Sequence, residues 1–274
     1  MKLVAKALLS TLARRFGDAS LPRVKALHLP PAPWNGSKDG EFCALELEDG
    51  SLGLTYVWLD DSLASLASGR SAIDLAGAEA MRIATGWIDG QGAARTLGFA
   101  AVNALSRHLF DRMGFVPPDA PDSIGGLDPQ PGDHIGMVGL FPSLVRQVTA
   151  LGARLTVLEL RDDLAGEHAG VTVTLDPKDL NACDKLLSTS TILLNHTFDV
   201  VLANSGQARV FSLIGPGAGC LPDALFEAGV TTLGGTWITD PSGFKQALHD
   251  GQPWRHFARK FALTTADWPL DSLR

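Results

Sequence analysis

Cysteine, charge and long apolar runs are all scarce in this sequence, and each scarcity excludes a class of protein. The three cysteines, Cys43, Cys183 and Cys220, lie far apart with no CxxC or zinc-finger spacing. This pattern argues against a disulfide framework and a structural zinc site, and it favours a reducing cytoplasm. The 23 basic and 30 acidic residues give a net charge of −7, so nucleic acid is not an expected partner. No stretch approaches the roughly 20 apolar residues of a membrane span.

Several catalytic signatures are also missing. The sequence contains no GxSxG nucleophile elbow, no HExxH zinc pair and no GxxxxGK[ST] phosphate loop. Hydrolase, metalloprotease and P-loop interpretations therefore lose their usual support. The segment from Gly136 to Gly139 closes a predicted strand but does not complete GxGxxG, which leaves no strong nucleotide signature.

The first half has the pattern of an α+β domain. Apolar residues recur every four positions from Val4 to Phe16, as in an amphipathic helix. A strand and a hairpin with an Asp-Gly turn follow, and helices are then predicted near 71–87 and 91–113. We therefore predict a small α+β domain over residues 1–116.

The second half alternates short apolar runs with helical segments. The runs are 134–139, 154–160, 209–215 and 230–235, and the helical segments lie near 142–151, 192–203, 221–228 and 241–249. Such alternation is typical of parallel strands covered on both faces by crossover helices. We predict an α/β fold in which a Pro- and Gly-rich linker, 117–132, leads to a Rossmann-like doubly wound sheet over 133–252, followed by a C-terminal tail, 253–274.

Ligands of open parallel sheets bind beyond the carboxyl ends of the strands, so the first candidate binding residues are sought in those loops. Gly139 and Phe141 lie in a predicted strand-to-helix turn and are candidates for ligand binding. The alternative interpretation is a tight turn without a binding role. Glu159 ends the next strand twenty positions after Gly139. A ribose-binding acid would sit at that place, although an exposed strand-end carboxylate is the simpler interpretation.

A run of hydroxyls and the helix after it give a second group of candidates: Ser188, Thr189, Ser190, Thr191, Asn195, His196 and Asp199. Hydroxyls beside the free amides of a helix N-terminus can receive an anion or act as oxygen ligands. Ser and Thr are also ordinary helix caps. His196 and Asp199 are three residues apart, so we expect them on one helical face, where they could bind the same ligand.

A glycine-rich loop supplies the third group: Gly215, Pro216, Gly217 and Cys220. Such a loop lets the backbone approach a ligand, or it is simply a flexible turn. Cys220, His196 and Glu159 would together offer a transition metal sulfur, nitrogen and oxygen donors from three strand ends. Asn103, on the second long helix, is a further candidate if that helix faces a cleft between the domains.

Four segments resemble a known family. They are TLGFAAVNALS (96–106), IGMVGLFP (135–142), STSTILLNHTFD (188–199) and GPGAGCLPDALFEAGVTTLGGTWITDP (215–241). These segments are similar to the putative heavy-metal chelation proteins, and the resemblance spans most of the chain. It implies a small domain like the N-terminal domain of enolases, paired with a Rossmann-like domain, and a metal role for the cleft between them.

Three functional hypotheses follow. The leading one is a cytoplasmic protein that binds a transition-metal ion or a small metal chelate in the interdomain cleft, with His196 and Cys220 as metal ligands. The alternative is an enzyme that acts on a nucleotide-like or other small anionic substrate at the strand ends, with His196 as acid or base. The third is an interaction protein without a small ligand. A homodimer is compatible with each hypothesis.

Overall fold

The structure is a computed structural model that describes residues 2–17, 19–31, 41–57, 59, 61–68, 75–122, 124–168 and 171–268. The helices are α1 (Leu3–Phe16), α2 (Ser62–Ala67), α3 (Ala80–Asp89), α4 (Gly92–Arg112), α5 (Pro142–Ala150), α6 (Thr191–Leu194), α7 (Phe198–Ala203), α8 (Asp223–Glu227) and α9 (Pro241–His249). The strands are β1 (Val24–His28), β2 (Phe42–Leu47), β3 (Leu52–Tyr56), β4 (His134–Val138), β5 (Arg154–Leu158), β6 (Gly166–His168), β7 (Val171–Thr174), β8 (Lys185–Thr189), β9 (Val210–Ile214), β10 (Thr232–Ile238) and β11 (Ala258–Thr264). None of the helices within these ranges combines the length and the apolar character needed to cross a membrane.

Strands β1, β2 and β3 form a small antiparallel sheet on which α4 packs. The predicted Asp-Gly turn joins β2 to β3, with Gly50 in the left-handed region at φ +90°. Helix α4 approaches β3 so closely that a Cβ on Gly53 would lie 2.1 Å from the carbonyl oxygen of Ala100. Only glycine fits at that crossing. The strand-then-helix order predicted for this half is therefore present.

The first of the two predicted long helices begins later than expected. Helix α3 starts at Ala80, and residues 71–74 lie outside the described residues. The backbone before α3 pairs with β1 instead, because Val24 N–H donates to the Ala78 carbonyl at 2.8 Å and Gly77 N–H donates to the Val24 carbonyl at 2.9 Å. Gly77 has a φ of +76°, which an α-helix cannot include.

The second half forms a large sheet whose described strands have the order β11-β10-β9-β8-β4-β5-β7-β6. Strands β10, β9, β8, β4, β5 and β7 are parallel, whereas β11 and β6 run antiparallel to their neighbours. The predicted α/β class with a mostly parallel sheet is confirmed. Strands β6 and β7 were not predicted, because three and four residues are too few for a clear pattern.

Helices cover both faces of the large sheet because its central strands are apolar on both sides. On one face of β4, Ile135 and Met137 pack with Leu144 and Val148 of α5. On the other face, Val138 belongs to the cluster that includes α6 and α7. The helix that follows β4 and the helices that follow β8 therefore leave the sheet on opposite sides.

The predicted C-terminal tail, 253–274, contains strand β11, so this part of the chain belongs to the large sheet. Residues 258–264 pair with β10 along their whole length, and Asp119 forms a bridge with Phe261 of β11. The described residues of the expected linker, 117–132, contain no helix or strand of their own, yet the first of them follow this edge of the sheet, where Ala120 N–H donates to the Lys260 carbonyl at 3.1 Å. The division into two domains and the likeness of the small half to enolases stay predictions.

Direct contacts join the two halves of the chain. Trp87 Nε1 of α3 donates to the Leu193 carbonyl of α6 at 3.0 Å. Asn103 Nδ2 donates to the carbonyls of Leu54 in β3, at 2.7 Å, and Gly217, at 2.9 Å. These hydrogen bonds hold the small sheet and its helices against the loops at the carboxyl end of the large sheet.

Candidate functional site

A cavity of about 440 Å³ lies between the small sheet and the carboxyl ends of the parallel strands. We call it the inter-sheet cavity. The segments after β4, β5, β7, β8 and β9 line it, together with the start of β2 and the end of β3. The predicted site residues that line it are Gly139, Phe141, Glu159, Thr189, Ser190, Thr191, Asn195, Gly215 and Pro216.

The inter-sheet cavity lies where the order of the strands reverses. Strand β4 has β5 on one side and β8 on the other, and the helices after β4 and β8 pack on opposite faces. The loops after these two strands therefore diverge and leave a crevice. Ligands of doubly wound sheets bind in such crevices, so the topology itself marks this cavity as the candidate site.

Glu159 is held in the lining by backbone donors. Its Oε1 accepts a hydrogen bond from Leu140 N–H at 2.5 Å, and its Oε2 accepts one from Leu160 N–H at 3.1 Å. Gly139, at φ +86°, makes the turn that precedes Leu140 and that a larger residue would strain. Each carboxylate oxygen has a further lone pair, so Glu159 can also receive a ligand.

Hydroxyls from the end of β8 form another part of the lining. Thr189 Oγ1 accepts a hydrogen bond from Thr191 N–H at 3.2 Å and lies 3.0 Å from Thr191 Oγ1. Ser190 precedes α6 without a side-chain capping bond. A Cβ on Gly215 would lie 2.4 Å from Ser190 Oγ, so the absent side chain leaves room for this hydroxyl.

The charged side chains of the inter-sheet cavity are acidic. Its described lining contains two carboxylates, Glu41 and Glu159, and no Lys, Arg or His. Burial and the neighbouring Glu41 raise the pKa of Tyr56, so the Tyr56 hydroxyl is neutral near pH 7. A negative field favours a cation over a phosphate or carboxylate ligand.

Sequence patterns did not identify the aromatic and apolar residues in the cavity wall. Phe42 and Tyr56 pair across β2 and β3, with ring centroids 5.9 Å apart, and both line the cavity. Leu160, Leu175 and Val200 also line it, although each is an exposed apolar side chain. The available signal was Leu160, an apolar residue directly after the strand-end Glu159. It is exposed in the structure, and large exposed apolar groups often mark binding sites.

His196 and Asp199 do not share a helical face. His196 has a φ of +62° and lies between α6 and α7, which corrects the expected arrangement. Its Nε2 lies 2.8 Å from the Trp87 carbonyl, and burial lowers its pKa. Asp199 caps α1 by accepting from the N–H groups of Leu3 at 2.7 Å and Val4 at 3.3 Å. Both residues therefore join helices, and neither lines the inter-sheet cavity.

Four further predicted residues, Ser188, Gly217, Asn103 and Cys220, also lie outside this lining. Ser188 is fully buried, and its Oγ lies 3.2 Å from the Thr189 carbonyl. Gly217 and Asn103 are hydrogen-bonded to each other. Burial raises the pKa of the Cys220 thiol to about 12, so the metal-binding thiolate is disfavoured.

The predicted set of metal ligands is not assembled. Of Glu159, His196 and Cys220, only Glu159 lines the inter-sheet cavity. Throughout the described ranges, no three His, Cys, Asp or Glu side chains are grouped so that they could hold a metal ion. The cavity offers carboxylate, hydroxyl and amide oxygens, which suit hard cations better than soft transition metals.

Comparisons with known proteins agree on the family and the fold. A family model described as "Putative heavy-metal chelation" matches residues 123–267, and a second model with the same description matches residues 41–106. A protein with unknown function from the first of these families, from Desulfitobacterium hafniense DCB-2, is 19% identical, with a TM-score of 0.71 over 95% of this chain and 100% of that one. Another, from Pyrococcus horikoshii, is 17% identical, with a TM-score of 0.70 over 96% of this chain and 100% of that one. No curated protein matches the sequence.

Proposed function

This chain belongs to the family described as putative heavy-metal chelation, and from that premise we propose that it binds a small, positively charged metal chelate in the inter-sheet cavity. The observation that carries the proposal is the acidic lining, whose described charged side chains are the two carboxylates Glu41 and Glu159. Cys43, Cys183 and Cys220 are free thiols, which supports a cytoplasmic location.

A chelate fits this lining better than a bare ion. Tight transition-metal sites use three or four protein ligands, whereas the cavity supplies two carboxylates and neutral oxygens. Its volume of about 440 Å³ is in the range of small-molecule pockets, which leaves room for an organic ligand around the metal. In our proposal the organic part packs on Phe42, Leu160 and Val200, and the charge faces Glu159.

Calorimetric titration of protein without a histidine tag tests the proposal. The probes are Ni²⁺ alone, the cationic 1:1 complex of Ni²⁺ with 1,10-phenanthroline, and the anionic Ni²⁺–EDTA complex. We expect saturable binding of the phenanthroline complex and much weaker binding of the other two, because only that complex combines positive charge with apolar surface.

A matched pair of variants assigns the site. Glu159→Gln removes a charge from the cavity and should weaken binding of the cationic complex about tenfold or more. Glu227→Gln removes the same charge from an exposed position on α8 and should leave binding unchanged. The proposal fails if the EDTA complex binds as tightly as the phenanthroline complex, or if both variants bind like the parent protein.

One observation favours a second candidate, an enzyme acting on a nucleotide-like substrate. Glu159 follows β5 and contacts the turn after β4, and in dinucleotide-binding sheets an acid at this place binds a ribose hydroxyl. The acidic lining opposes the phosphates of such a ligand. Thermal shifts with NAD, NADP, ATP and S-adenosylmethionine separate the candidates, because a ligand of the folded state stabilises it by RT ln(1 + [L]/Kd).

A further inference from the structure

A second cavity, of about 410 Å³, lies beside the inter-sheet cavity on the large sheet. We call it the β10–β11 cavity. It lies between Ala120, Asp122 and Gly125 on one side and the first turns of α5 on the other, and it shares three lining residues with the inter-sheet cavity, Phe141, Gly215 and Pro216. No residue of the small sheet lines it among those described, so it is a separate compartment of the same sheet edge.

The floor of the β10–β11 cavity consists of small and polar residues. Gly234 pairs with Ala262, and Thr236 pairs with Lys260, across the antiparallel strands β10 and β11. All four residues line the cavity. Residues two apart on a strand share a face, and on these two strands the face carries only small or polar side chains, with Ile214 of β9 beside Gly234. The space above it is therefore open to a ligand.

The charge of this floor differs from that of the inter-sheet cavity. Lys260 lines the β10–β11 cavity and is exposed, and no ion pair involving it is present within the described ranges. Its neighbour Arg259, by contrast, is paired with Asp119 at 2.7 Å. The acid in the lining, Asp122, already accepts hydrogen bonds from Ile124 N–H and Gly126 N–H through its Oδ1.

Polar and apolar groups are arranged around this lysine as a small organic anion would require. Ser143 and Thr236 bring hydroxyls to the cavity, and Phe141, Leu144 and Ile214 bring apolar surface. Such a combination, a few polar groups in an apolar wall, is typical of small-molecule sites. A phosphate or carboxylate could pair with Lys260 while an apolar body packs on Phe141.

We propose that the β10–β11 cavity is a second binding site, which takes a small organic anion with Lys260 as its charge partner. This proposal is independent of the chelate site, since it uses a different compartment and a cationic side chain, Lys260, which the described lining of the inter-sheet cavity lacks. A site for a cationic chelate and a site for an organic anion would then lie side by side at the strand ends, with Phe141 and Pro216 lining both.

Ligand-observed NMR titrations of the full chain test the proposal with phenyl phosphate, phenylacetate and neutral benzyl alcohol. We expect at least one of the two anions to bind and the alcohol to bind much more weakly. Binding of phenyl phosphate alone would identify a phosphate site, and binding of phenylacetate alone a carboxylate site. If neither anion binds, or if the alcohol binds equally well, the proposal is overturned.

Variants locate the binding. Lys260→Met should weaken the anion about tenfold, because a hydrogen bond to a charged group is lost, and Lys260→Arg should retain most of the affinity. Lys6→Met, an equal change of charge at an exposed position of α1, should have no effect. Equal losses in Lys260→Met and Lys6→Met would show nonspecific attraction and overturn the assignment.

The same variants keep the two sites apart. Glu159→Gln should leave binding of the organic anion unchanged while it weakens binding of the nickel–phenanthroline complex. Lys260→Met should have the reverse pattern. Failure of the chelate titration therefore leaves the anion titration fully interpretable, and the converse also holds.

Discussion

At the amino end of the parallel strands, Asp133 lies between two cations, with Lys185 Nζ at 2.8 Å and Arg209 Nη2 at 2.7 Å. At the carboxyl end, Glu159 accepts hydrogen bonds from backbone N–H groups and faces an acidic cavity. One end thus neutralises its buried carboxylate with protein cations, and the other holds its carboxylate with backbone donors. Under our proposal, stability and binding therefore belong to opposite edges of one sheet.

This contrast has a physical reason. Charges buried without a partner cost several kcal/mol, so at the amino end each of the buried groups Asp133 and Lys185 depends on its ion pair with the other. A binding site must instead keep its polar groups only partly satisfied, so that a ligand completes them. If the contrast is correct, substitutions at the amino end act on stability and substitutions at the carboxyl end act on binding.

The largest expected effect is that of Lys185→Met on stability. The side chain of Lys185 is 5% exposed, and methionine keeps its length but leaves the buried Asp133 with one cation fewer. Breaking a buried pair in this way costs about 3–5 kcal/mol, which urea unfolding followed by fluorescence should measure. Lys6→Met, on an exposed position of α1, should change the free energy of unfolding by less than about 0.5 kcal/mol. Equal effects of the two variants would remove the distinction between the two edges.

The next effect is acid destabilisation through Glu46, which joins the small sheet to α9. Burial raises the pKa of Glu46, but hydrogen bonds from Lys245, His28 and Lys25 outweigh it and lower the pKa from 4.5 to about 2. A carboxyl whose pKa is lower in the folded state stabilises the fold above the unfolded pKa. That stability is lost as pH falls from 4.5 towards 2, and it amounts to roughly 3 kcal/mol.

Urea unfolding at a series of pH values should show this loss. Glu46→Gln removes the titrating group, so the free energy of unfolding should be lower at neutral pH and should fall less steeply below pH 4.5. Asp133, whose pKa the hydrogen bond from Lys185 lowers well below its usual range, should retain its own contribution in that variant. An unchanged acid slope in Glu46→Gln would contradict the assignment.

Regular patterns made much of the large sheet predictable. The apolar runs that became β4, β5, β9 and β10 alternate with helical segments, and this alternation depends only on local periodicity. The rule that ligands bind beyond strand ends then led from Glu159 and the Ser188–Thr191 run to the inter-sheet cavity. Most of the predicted residues that line this cavity were chosen by the strand-end rule.

The remaining features depend on contacts between distant parts of the chain. Asp199 caps a helix whose first residue is 196 positions away, and His196 meets Trp87 of another helix. Phe42 and Tyr56 enter the cavity only because α4 places the small sheet above the strand ends. The segment of β11 was predicted as a tail because its own sequence does not indicate that it pairs with β10. No local pattern encodes such contacts.

The smallest expected effect on stability lies at the carboxyl edge, in Thr189→Val. Valine keeps the shape of the side chain but loses the Oγ1 contacts with Thr191, which should lower the free energy of unfolding by about 1 kcal/mol or less. Binding of the nickel–phenanthroline complex should weaken several-fold, because a hydroxyl of the cavity is lost.

Ser188→Ala is the matched control for Thr189→Val, since it removes a neighbouring hydroxyl that is fully buried and outside the cavity. Its effect on unfolding should be similar, and its effect on binding should be absent. Urea unfolding and calorimetric titration of both variants measure the two quantities separately. If Thr189→Val lowered stability as much as Lys185→Met without weakening binding, the carboxyl edge would be a structural element like the amino edge.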